Sequence, residues 1–195
     1  MAEQEQVNKF DLTIDDINFD GVQIVSLVDY PAIETDFVYM GKSYKFQDID
    51  EEKRIVMGPA MIPNKDIDRY DWFGDKYIIT FSENTIKEVN EKFMKELRLK
   101  NTNIFHALNI NNVTIIESWI IEDNIKDKSS NFGFDLPKGT WFITMKIDND
   151  EVWNLIKSGD LRGFSIEGFF TDILVQNNSE LSNIMNDIDD YISNN

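Results

Sequence analysis

Cysteine is absent from the chain, and histidine occurs once. The first absence removes disulfides, thiolate metal sites and cysteine nucleophiles. The second leaves His106 as the one imidazole able to take up a proton near neutral pH. Basic residues are scarce: 19 Lys and Arg stand against 36 Asp and Glu, a net charge of −17. Such a surface repels phosphate backbones and anionic lipid, so neither nucleic acid nor membrane is an expected partner. No apolar run approaches the length needed to span a bilayer. The N-terminal stretch MAEQEQVNKFDLTIDD is acidic and lacks the apolar segment of a signal peptide. The acidic strings DIDRYDWFGD and DNDE lack the glycine and glutamate spacing of a calcium loop. No metal or cofactor is therefore expected.

What is present points to a folded core. Hydrophobic residues make up 42% of 195 residues, with 14 Phe and 4 Trp, enough for one globular domain. Strand-like segments rich in β-branched and aromatic residues lie at 22–28, 37–46, 54–62, 76–81, 113–121, 140–147 and 163–170. Seven short strands predict a barrel or sandwich. Helical periodicity predicts helices over about 84–98, 149–158 and 180–192. Ile86, Val89, Phe93 and Leu97 form the stripe of the first, with Thr85 and Glu88 as a capping box. The second begins at an Asp148 or Asn149 cap and stops at Gly159. The third follows the polar hinge QNNSE, which divides the chain into a domain over 1–176 and an amphipathic helix over 177–195. That helix is read as a docking or self-association element.

Two residues stand out chemically. Ser165 sits in LRGFSIEGFF between Gly163 and Gly168. A helix ending at Gly159 and a tight turn before Gly163 would hold its hydroxyl in place, and the glycines allow close backbone approach. The string is not a strand-turn-helix nucleophile elbow. A serine in a strand is ordinarily a tolerated polar residue, and a lone histidine is ordinarily structural. A serine nucleophile with a histidine base is the functional alternative.

Several strings in fixed order carry a resemblance: IVSLVDYPAIETDF (24–37), EEKRIVMGPAMIP (51–63), YIITFSENTIKEVNEKFM (77–94), the His106 segment, VTIIESWIIED (113–123) and PKGTWFITMKIDNDEVWNLIKSGDLRGFSIEGFF (137–170). Together they resemble the phage serine proteases of the XkdF-like type, a branch of the prohead (head-maturation) proteases related to the herpesvirus assemblins. The resemblance implies an α+β fold, a mostly antiparallel β-barrel wrapped by a few helices. It implies an endopeptidase inside the phage prohead, assembled in the cytoplasm of a bacterial host, with scaffold and major capsid protein as substrates. It assigns the nucleophile to Ser165 and the base to His106. In relatives an acid stands two residues before the serine of an EVSLV-like strand. Here that position is Ile24, and the strand precedes His106. The third member is therefore expected at Asp29, which ends IVSLVD, or at Glu117, on the strand after His106. The alternative expectation is a non-catalytic head-assembly protein that keeps the protease fold.

Overall fold

The computed structural model describes residues 7–16, 18–34, 38–39 and 53–175. Among these residues the chain forms twelve strands and two α-helices. The strands are β1 (Asn8–Thr13), β2 (Gly21–Val28), β3 (Val38–Tyr39), β4 (Ile55–Met61), β5 (Ile67–Tyr70) and β6 (Lys76–Phe81). After helix α1 (Glu83–Lys95) come β7 (Thr102–Ile104), β8 (Leu108–Asn109), β9 (Val113–Ile120) and β10 (Trp141–Ile147). Helix α2 (Asp150–Ser158) precedes β11 (Gly163–Phe169) and β12 (Thr171–Leu174).

These strands build three separate four-stranded sheets, in the orders β12-β1-β6-β5, β3-β4-β10-β9 and β11-β2-β7-β8. Among the described residues the expected barrel does not form, and the fold is α+β with open sheets. Closure needs a ladder that returns from the last strand to the first at a consistent tilt and stagger. Here each sheet ends in two edge strands, several of them only two to four residues long. The ladders are also mixed: β1 pairs β6 in parallel, and β2 pairs β7 in parallel. A pattern of apolar strands specifies burial, but it does not specify which strand closes on which.

The core explains this layering. Trp141, Phe142, Ile143, Met145 and Ile147 of β10 are all fully buried, and Thr144 is nearly so. Strict in–out alternation would put Thr144 on an outer face. In the structure β10 is a central strand covered on both sides. Helix α1 packs Ile86, Val89 and Phe93 into the same core, and α2 adds Val152, Trp153 and Ile156.

Both helices start where side chains satisfy free backbone N–H groups. Ser82, and not Thr85, caps α1, its hydroxyl accepting from the Thr85 N–H at 3.1 Å. Asn149 caps α2 by accepting from the N–H groups of Glu151 and Val152, and Gly159 ends it at φ 84°. Leu97 falls beyond the end of α1 in a left-handed conformation and is exposed, so the predicted stripe stops at Phe93. Between the predicted strands 54–62 and 76–81 lies β5, which forms a hairpin with β6. The third helix, the 177–195 boundary and most of the 37–46 strand lie outside the described residues.

Candidate active site

The third sheet carries the candidate site. One face of β2 and β11 turns Val25, Leu27 and Phe164 into the core. Alternation sends Ser26, Ser165 and Glu167 to the other face. The register then aligns polar residues across three adjacent strands. Ser165 lies opposite Ser26 in the antiparallel β11–β2 pair, and Ser26 lies beside Asn103 in the parallel β2–β7 pair. Glu167, two residues along β11, lies opposite Ile24.

His106 reaches this row from the tight turn after β7. Phe105 and His106 both hold left-handed conformations, with φ 54° and 57°. The Ala107 N–H closes the turn onto the Ile104 carbonyl at 3.1 Å, and the Phe105 N–H donates to the Leu27 carbonyl at 3.0 Å. Each non-glycine residue in this region costs roughly 1–2 kcal/mol. Two in succession are retained only where the surroundings over-determine them, a pattern that clusters at functional sites.

Three donors converge on one oxygen of Glu167. Ser26 Oγ donates to Oε1 at 2.7 Å, Asn103 Nδ2 at 2.6 Å, and His106 Nδ1 lies 3.0 Å away. Ser26 Oγ also sits 3.1 Å from His106 Nδ1. Because a carboxylate oxygen only accepts, Nδ1 is the nitrogen that carries hydrogen, and Nε2 faces away from the acid. Burial works to raise the Glu167 carboxyl, but hydrogen bonds from Ser26, Asn103 and His106 outweigh it, and the net shift is downward.

A group with a depressed folded value stabilises the fold above its ordinary range and loses that contribution as pH falls through the lowered value. The stability that Glu167 adds should therefore persist at neutral pH and fade only below the usual glutamate range. Thermal melts of the wild type and Glu167→Gln between about pH 7 and pH 3 should converge at the acid end. A constant difference across the whole span would contradict this.

Of the four residues singled out in the sequence, the sheet register brings Ser165 into the row that His106 approaches. Among the described residues the serine hydroxyl bonded to the ring is that of Ser26. The Ser165 side chain is half-buried and makes no hydrogen bond among them. Asp29, at the end of β2, is exposed and accepts from the Tyr30 N–H at 2.9 Å. Glu117 lies on β9 of another sheet, accepting from Thr144 Oγ1 at 2.6 Å and pairing with Lys128 at 2.8 Å. The Lys128 hydrogen bond, followed by that from Thr144, holds its carboxyl below the usual range. Neither carboxylate contacts His106.

Glu167, Ser26 and Asn103 were missed in the sequence. Glu167 had a readable signal, since it follows Ser165 at the two-residue spacing that shares a strand face. The glycines of GFSIEG serve packing in a different way from the one expected. A Cβ at Gly163 would meet the Pro31 ring at 2.5 Å, and one at Gly168 would meet the Gly21 carbonyl oxygen at 2.3 Å. They let β11 seat against the chain itself. A cavity of about 200 Å³ borders Ser165, lined largely by apolar residues such as Met61, Phe164 and Phe170. Alternation turns Phe164 away from the polar row. No cluster of three or more His, Asp or Glu side chains suited to a metal occurs among the described residues.

No curated protein and no solved structure matches this chain. A family model described as "Putative phage serine protease XkdF" matches residues 44–173, about two thirds of the chain. The match takes in Asn103, His106, Ser165 and Glu167 and begins beyond Ser26. On that match the chain belongs to the XkdF family, described as putative phage serine proteases.

Proposed function

We propose that the protein is the endopeptidase that matures a phage capsid, cutting scaffold and capsid-protein segments inside the prohead in the host cytoplasm. In this reading Ser165 is the nucleophile, His106 the base and Glu167 the acid. The observation that carries it is the His106 Nδ1–Glu167 Oε1 contact at 3.0 Å, with Ser165 two residues before Glu167 on the same strand face. A carboxylate on Nδ1 orients the ring and stabilises the imidazolium that forms during reaction. Nε2 is then the nitrogen available to take the serine proton and return it to the leaving amine. The family's acid position is the apolar Ile24. Its cross-strand partner is Glu167, so an acid reaches the same sheet face from the neighbouring strand.

Ser26 is the competing nucleophile, because its hydroxyl is the one within 3.1 Å of the ring. Four facts favour Ser165. Ser26 has no exposed surface, and its proton is directed at Glu167. Ser165 is partly exposed and lies inside the family match.

Labelling the native chain with a fluorophosphonate and mapping the adduct by mass spectrometry separates the two. The adduct is expected on the peptide containing Ser165, and an adduct on Ser26 would reassign the nucleophile. Co-expression with the capsid and scaffold proteins should yield trimmed products that disappear in Ser165→Ala. If the wild type trims nothing, the assembly-factor expectation replaces the protease one.

A further inference from the structure

Three hydrogen-bond donors meet at Glu167 Oε1, and only one of them is the imidazole. One oxygen receives a hydroxyl, a side-chain amide and an imidazole N–H at 2.7, 2.6 and 3.0 Å. Two of these donors, Ser26 and Asn103, are 0% and 3% exposed. They come from neighbouring strands in register, so β2 and β7 fix their separation.

Asn103 also leaves its own Oδ1 buried and without a partner among the described residues. Turning the amide over would set that oxygen against the carboxylate, two acceptors face to face. The amide therefore keeps an unpaired carbonyl in order to aim its N–H at Glu167.

We infer that Ser26 and Asn103 are positioning residues, which clamp Glu167 Oε1 so that His106 is held with hydrogen on Nδ1 and Nε2 bare. The inference deepens the protease reading and rests on it for its kinetic consequence. Neither residue touches substrate in this arrangement. Asn103 acts through the acid alone, whereas Ser26 holds the acid and also sits 3.1 Å from His106 Nδ1. The clamp also explains why the ring tolerates two strained residues in its turn, since it fixes the ring from outside the turn. With Oε1 held by two further donors, the acid cannot swing away when His106 gives up or gains its charge. The tautomer is thus set by the sheet.

The single histidine makes the test direct, because a chain labelled with ¹⁵N-histidine gives the signals of one side chain. At a pH where the ring is neutral, the wild-type spectrum should show a protonated Nδ1 and a bare Nε2. Ser26→Ala and Asn103→Ala should each move the population towards the Nε2–H form, and Ser26→Thr, which keeps the hydroxyl, should restore the wild-type pattern. Cleavage by the alanine variants should fall in kcat by about tenfold or more, with KM within about twofold. If Asn103→Ala does not fold, Ser26→Ala decides alone, since it removes one oxygen and adds no volume. A ring that stays in the Nδ1–H form in Ser26→Ala overturns the inference. The ring spectrum needs no substrate. Should Ser165→Ala retain full activity, the nucleophile assignment fails while the tautomer result still stands or falls by itself.

Discussion

Ser165→Ala is expected to reduce peptide cleavage by about 10⁴-fold or more, while the fold stays intact. The change removes one oxygen from a half-buried side chain that makes no hydrogen bond among the described residues, so little stability is at stake. His106→Ala should cost a similar factor, and the double variant should be scarcely worse than either alone. Members of a nucleophile–base unit lose their contribution together, because neither has a task without the other. Ser118→Ala is the matched control. Ser118 lies on β9, donating to Asn90 Oδ1 at 2.7 Å and accepting from Trp141 at 2.8 Å, so its loss touches packing and leaves turnover near wild type. Single-turnover cleavage, with circular dichroism on each variant, checks all four changes. Turnover that survives Ser165→Ala and vanishes in Ser26→Ala would transfer the nucleophile to β2.

The largest effect on stability is expected from Trp141→Ala, about 3–5 kcal/mol. Trp141 is 0% exposed at the centre of the second sheet. Its ring meets Phe93 of α1 edge-on, with centroids 5.3 Å apart. Its indole N–H donates to Ser118, which in turn reaches Asn90 on α1. Truncation opens a cavity where a helix and two strands converge and strips Ser118 of its donor. Trp141→Phe keeps most of the volume and loses the N–H, so it should cost roughly 1 kcal/mol for the hydrogen bond plus a smaller packing loss. Urea denaturation of the three proteins gives the comparison. Equal costs for Phe and Ala would mean that the hydrogen-bond relay, and not the buried ring, dominates.

Much of the local structure was legible in the sequence. The strands around Val25, Ile79 and Ile143 announce themselves by β-branched and aromatic content, and both described helices by their apolar spacing. Gly159 marks the end of α2 because a left-handed residue at that place is least costly as glycine. Ser165 and His106 drew attention in the sequence, one as a lone hydroxyl in an apolar strand and the other as the single imidazole. The short strands β1, β7, β8 and β12 were not. Stretches such as TNI and TDIL are too short and too polar to carry a periodic signal, and they become strands by pairing with neighbours already in place.

Only the tertiary structure decided how the strands assemble, and with them the site. Periodicity fixes which face of a strand is apolar, but pairing partners are chosen by long-range fit, so the same strands that predict a barrel form three open sheets. The acid illustrates the same limit. Asp29 and Glu117 were sought near the relevant segments in the chain, whereas the carboxylate on His106 belongs to Glu167, 61 positions further along the sequence. It arrives there because β11 pairs with β2 in a register that sets Ser165 against Ser26 and Glu167 against Ile24. A strand shifted by one residue would turn Ser165 and Glu167 away from His106. The sequence alone determined the residue types available for the chemistry: one imidazole, no thiol, and serines in apolar strands. Register across β11, β2 and β7 decided which of them meet, because hydrogen-bonded pairing is the interaction that brings residues distant in the chain to within 3 Å.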